Sequence, residues 1–130
     1  MEPSNQKTMK SGITVSKIEP DILRYEIPKD LEMTLEVIKE LWEFGNSTYP
    51  SGKRKILAVF NANFNPNREA ADFMVSQKRA EKVCAEAFCI NSAWLRFKTN
   101  FYFRIKKPTV PTKVFEDEKA AMTWLREQQS

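Results

Sequence analysis

The stretch from residue 85 to 125, AEAFCINSAWLRFKTNFYFRIKKPTVPTKVFEDEKAAMTWL, constrains the fold more than any other. It opens with a short apolar run, passes Asn91-Ser92 as a helix cap, and continues as a basic, aromatic helix. Pro108 and Pro111 bracket the exit from that helix, residues 113–115 read as a strand, and Asp117 caps a closing amphipathic helix. This is a β-α-β-α unit, the C-terminal half of an open α/β sandwich with helices packed on a largely parallel sheet.

The chain before it fits the same plan. Residues 1–12 are polar and end in Ser11-Gly12, so a flexible tail is expected there, with one domain over 13–128. Ile13, Val15 and Ile18, then Ile22, Leu23, Tyr25 and Ile27, flank the turn Glu19-Pro20-Asp21 as a β-hairpin. Thr34 is placed to cap a helix carrying Leu35, Ile38, Leu41 and Trp42, with Gly45-Asn46 as its C-terminal signal. The run KILAVF at 55–60 is apolar on both faces, as a central strand must be. Asn65 followed by Pro66 reads as a cap and first position of a helix that reaches Lys82, with Ala70, Phe73, Met74 and Ala80 inward, before a strand at 87–90. The expected architecture is a single α/β sandwich: a mixed sheet of about five strands, opened by a hairpin, with about four helices.

Chemistry is harder to find. Without a histidine the chain lacks the commonest general base at neutral pH, and its Ser, Thr and Cys side chains lack their usual activator. Three glycines form no phosphate loop, and no Cys/Asp/Glu cluster has metal-ligand spacing, so neither a cofactor nor a metal is expected. No apolar run reaches the roughly 20 residues of a membrane span, and the N-terminus has no apolar signal core. Cys84 and Cys89 flank one short strand, out of bridging reach, which reads as two free thiols in a reducing cytoplasm. The net charge of +4 is modest. Its one concentration is residues 96–113, where six basic residues meet no acid, a footprint too small to favour nucleic acid.

Residues INS at 90–92, NFYF at 100–103, KKPTVPTKVF at 106–115 and DEKAAMTWL at 117–125 resemble a family of small bacterial proteins with a STAS-like fold. Members of that family close with an Asn-Phe pair, a K-P-x-x-P-T-x-x-F loop and strand, and an acidic helix ending in Trp-Leu. The wider STAS fold is that of anti-sigma-factor antagonists and of the cytoplasmic tails of anion transporters. Two departures stand out. Regulatory STAS domains open the helix after the central strand with a phosphorylatable Ser or Thr, whereas residues 61–67 here read NANFNPN, without a hydroxyl. The smaller family is expected to carry Asp where Asn61 stands and Arg where Ala71 stands.

Two surfaces are candidates. Asn61, Asn63 and Asn65 sit at the C-terminal end of the central strand, where α/β sheets bind ligands, although asparagine is also an ordinary turn residue. On the aromatic helix, Trp94, Phe97, Phe101 and Ile105 make one stripe, widened by Leu95 and Tyr102, and that stripe reads as core. Phe103 lies on the other side beside Arg96, with Lys98 inside the apolar face and Lys106 and Lys107 following. Either Phe103 is exposed and the basic helix meets a partner or an anionic membrane, or Phe103 tucks under the 108–111 loop while Lys98 snorkels. The expectation is a non-enzymatic cytoplasmic regulatory or protein-interaction module of STAS-like type, working through the helix at 92–105 and the adjoining 106–112 loop on a protein partner or on itself as a homodimer. The alternative is a carrier of a lipid or other apolar ligand, which would need a closed apolar pocket of several hundred Å³.

Overall fold

The computed structural model describes residues 6–61 and 64–129. In chain order these form β1 (Gln6–Thr8), β2 (Thr14–Glu19), β3 (Ile22–Ile27), α1 (Leu35–Thr48), β4 (Arg54–Phe60), α2 (Arg68–Met74), α3 (Gln77–Ala80), β5 (Val83–Ile90), α4 (Ala93–Ile105), β6 (Thr112–Phe115) and α5 (Glu118–Glu127). The strands lie side by side in sequence order, antiparallel from β1 to β3 and parallel from β3 to β6. Every parallel crossover steps one strand in the same direction. Right-handed crossovers therefore stack α1, α2–α3 and α4 on one face and leave the other to α5.

The alternation of side chains along the strands divides the core accordingly. Ile56, Ala58 and Phe60 of β4 and Phe88 and Ile90 of β5 join Leu23, Tyr25 and Ile27 beneath α1, α2 and α4. Leu57, Ala85, Ala87 and Cys89 point the opposite way, toward Ala121 and Leu125 of α5. Three alanines on that side let α5 lie close to the sheet, and Leu125 is wholly buried. Ala121 makes the approach while Ala120 stays exposed. Trp124 sits half-buried at the margin, its ring 5.7 Å from that of Phe115.

The α/β class and the mixed, largely parallel sheet agree with the sequence, but the counts are six strands and five helices among the described residues. The extra strand comes from the expected tail. Gly12, at φ 96°, turns the chain so that Gln6–Thr8 pairs with β2 and Met9 is buried. A positive φ of that size suits glycine. The extra helix arises because the expected single helix to Lys82 breaks at Ser76. The Ser76 hydroxyl donates to the Phe73 carbonyl at 2.7 Å and accepts from the Arg79 amide, ending one helix and capping the next.

Two helix ends also differ. The cap of α2 is Asn67, not Asn65, because Met33 bridges to Pro66: the Met33 amide donates to the Asn65 carbonyl and the Asn67 amide to the Met33 carbonyl. Helix α1 runs past Gly45 to Thr48. Gly45 serves packing instead of termination, since the Arg54 guanidinium lies directly against it, with Cζ 2.6 Å from where a Cβ would stand. Caps Thr34, Ser92 and Asp117 are as expected.

Candidate functional site: the outer face of helix α4

Helix α4 begins where Ser92 accepts a hydrogen bond from the Leu95 amide at 3.2 Å. Arg96 fixes the start to the sheet by donating from Nη1 to the Ile90 carbonyl at 2.9 Å. One helical face then enters the core: Leu95, buried Thr99, whose hydroxyl donates to the Leu95 carbonyl, and Phe103. The Phe103 ring lies 5.2 Å from Phe88 and 5.9 Å from Phe64, inside an aromatic cluster that includes Phe60 and Tyr102. At the far end Lys106 pairs with Asp72 of α2.

The opposite face meets solvent, and it is the more apolar one. Trp94 is 64% exposed, Phe97 62%, Phe101 55% and Ile105 71%. The Trp94 and Phe97 rings stack on each other at 5.7 Å, 21° from parallel. Lys98 and Arg104 flank this stripe and are exposed, with no carboxylate partner among the described residues. The stripe read as core is thus surface, and of the two readings left open for Phe103 the inward one holds, its ring half-buried against Phe64 and Phe88. A wheel locates apolar stripes but does not say which of two will find a complementary surface. Here Phe64 and Phe88 supply it to Phe103.

Of the other candidate residues, Arg96 and Lys106 hold α4 in place, and Lys98 and the exposed Lys107 are available to solvent. Asn61 and Asn65 are exposed, and Asn63 lies outside the described residues. Near Asn61, the C-terminal ends of β4 and β5 open into a shallow recess of about 410 Å³ bordered by Cys89, Asn91, Glu116, Asp117 and Glu118. The three carboxylates there disfavour an anion. Two are already engaged: Glu118 accepts from Arg24, and Asp117 caps α5.

Beneath α1 the interior holds charges that the sequence did not single out. Arg79 and Glu86 form a buried ion pair. Burial opposes the Arg79 charge, but the facing Glu86 outweighs it and the pKa is raised. Arg54, 1% exposed, has no carboxylate in contact among the described residues; it donates to Asn46 Oδ1 at 2.8 Å and to the Trp42 carbonyl at 3.4 Å, and stacks on the Trp42 ring. These acceptors belong to the C-terminal end of α1, whose last turn has no basic residue of its own, so Arg54 supplies the positive charge that end favours. Burial pushes the Arg54 pKa down and raises that of Tyr25 to about 12. Arg54, Arg79, Glu86 and Tyr25 border an otherwise apolar cavity of about 30 Å³, space for roughly two waters.

Both cysteines are free thiols. Burial raises Cys84, and burial together with Glu118 and Asp117 raises Cys89 to about 12, so neither is an activated thiolate. Among the described residues no group of three Cys, Asp or Glu could hold a metal ion, and no helix is long and apolar enough to cross a membrane.

Residues 16–129 match the family described as Domain of unknown function (DUF7793). The chain belongs to that family. No curated protein and no solved structure gives a significant match. The matched span begins in β2 and includes the whole parallel part of the sheet, α4 and α5.

Proposed function

We propose that this DUF7793 chain is a non-enzymatic, cytoplasmic regulatory module of STAS-like type that docks onto another surface through the outer face of α4. The observation that carries the reading is the alignment of Trp94, Phe97, Phe101 and Ile105, each more than half exposed, along one side of a helix whose other side is anchored in the core. Single exposed apolar residues are ordinary; four in one stripe, two of them stacked, are a patch of the kind that marks interaction sites. The STAS-like part rests on the 90–125 motifs, which fall on the β5-α4-β6-α5 end of the fold. A phosphoswitch at 61–67 has no hydroxyl to act on.

Two further features favour a docking surface over the alternatives. A cavity of about 30 Å³ does not accommodate an alkyl chain, which weighs against a carrier. Raised thiol pKa values and the lack of histidine weigh against nucleophilic catalysis. The test is site-specific photocrosslinking in the native host from residue 97 on the stripe and from residue 123 on the exposed side of α5. Adducts at 97 but not at 123 support the reading. No adduct at 97, or equal labelling at both, overturns it.

A further inference from the structure

The partner class can be narrowed by what surrounds the stripe. From residue 87 to 115 the chain carries six basic residues and no acid. Asp72, from α2, neutralises Lys106, which leaves Lys98, Arg104, Lys107 and Lys113 exposed and without a carboxylate partner among the described residues. On the helix wheel Lys98 and Arg104 fall on opposite borders of the Trp94–Phe97–Phe101–Ile105 stripe. The partner must therefore accept an apolar ridge about 17 Å long and offer negative charge on both sides of it.

A second copy does not satisfy this. A twofold contact would set Lys98 and Arg104 against the same two cations, with no acid on that face to receive them. The stripe also offers apolar area on the order of 500 Å², against about 800 Å² per partner in stable specific interfaces. A protein partner would need a groove of matching shape with acids placed to meet Lys98 and Arg104. The sizeable recesses of this molecule lie away from the stripe, beside Glu36 and Glu40, beside Gly52 and Lys82, and at the ends of β4 and β5, so a second copy offers no such groove. A fluid surface needs no matching shape. Bulky aromatics that sink to the headgroup boundary, bordered by basic side chains that reach back to it, are the arrangement of an interfacial helix.

Resting on the docking reading above, we infer that α4 is a peripheral membrane-binding element, which lies along an anionic lipid surface with Trp94, Phe97, Phe101 and Ile105 inserted and Lys98 and Arg104 on the headgroups. The α/β body would then hang from the membrane by one helix, leaving α5, on the other face of the sheet, free.

Co-sedimentation of the full chain with vesicles tests this, using phosphatidylcholine alone or with about one-third phosphatidylglycerol. Binding should require the anionic lipid and weaken at about 0.5 M salt, where screening shortens to about 4 Å. Lys98→Gln with Arg104→Gln should lower partitioning about 30-fold. Phe97→Ser with Phe101→Ser should lower it by at least about tenfold, with the thermal midpoint nearly unchanged because both rings are exposed. Equal affinity for both vesicle types, no binding to either, or wild-type binding by both variants overturns the inference. So does a dimer, seen by light scattering, that the serine variant dissociates. A protein adduct from residue 97 without vesicle binding removes the lipid and leaves the docking reading standing; absence of any adduct at 97 removes the docking reading itself.

Discussion

Gly45→Ala is the substitution for which local and tertiary reasoning disagree in sign. Gly45 lies inside α1, three residues before its last residue, Thr48. On helix propensity alone, alanine there should stabilise the protein by about 1 kcal/mol. The structure says otherwise, since the new methyl would stand 2.6 Å from Arg54 Cζ and 2.8 Å from Nε. The guanidinium cannot simply swing away. It is held by Asn46 Oδ1 and the Trp42 carbonyl, rests on the Trp42 ring, and is 1% exposed. Overpacking costs about 1–3 kcal/mol, and losing a hydrogen bond from a charged donor about 1.5–3 kcal/mol. Set against the propensity gain, the net destabilisation should be about 2–4 kcal/mol, a sizeable part of the roughly 5–15 kcal/mol a domain has. Urea denaturation of wild type, Gly45→Ala, Arg54→Met and the double variant forms a thermodynamic cycle. In the Arg54→Met background the methyl has no guanidinium to meet, so Gly45→Ala should become neutral or mildly stabilising, a coupling of at least about 2 kcal/mol. A Gly45→Ala protein as stable as wild type would refute the reasoning.

On the other face of the sheet, Leu125→Ala should cost about 2–5 kcal/mol, and Trp124→Ala less, because Leu125 is fully buried and Trp124 only half so; the reverse order in a thermal melt would mean that α5 is rotated. Toward acid, the Glu118 carboxyl is held below the usual range, chiefly by hydrogen bonds from Arg24 at 2.8 and 2.9 Å, with partial burial acting the other way. Such a group adds stability above its unfolded pKa of about 4.3 and loses it as pH falls through the lower folded value. Glu118→Gln should therefore lower the unfolding free energy measured with urea at about pH 7, by about 1 kcal/mol or less for so exposed a pair, and the gap to wild type should close by about pH 3; a gap that widened in acid would contradict the assignment.

The elements that the sequence determined are those governed by contacts a few residues apart. Thr34, Ser92 and Asp117 each accept from the amide three residues on, and a hydroxyl or carboxylate before a periodic run announces that bond on its own. The turn at Glu19-Pro20-Asp21 and the apolar run of β4 are equally local. Once three crossovers of one hand follow a hairpin, the mixed sheet and its two unequal faces follow as well.

The tertiary structure decided whatever depended on a distant complement. Gly45 signals a helix end until Arg54, nine residues away in sequence and on another element, turns out to need its missing side chain. Asn65-Pro66 reads as a helix start until Met33 pairs with it. Residues 6–12 of the tail read as mobile until Gly12 turns the chain and Gln6–Thr8 pairs with β2, whereas residues 1–5 lie outside the described residues. Above all, α4 carries apolar side chains on two faces, and periodicity gives both the same standing. The choice between them rests on Phe64 and Phe88, which enclose Phe103 and so turn Trp94, Phe97, Phe101 and Ile105 outward. Burial is a property of two surfaces meeting, and a single helix's sequence specifies only one of them.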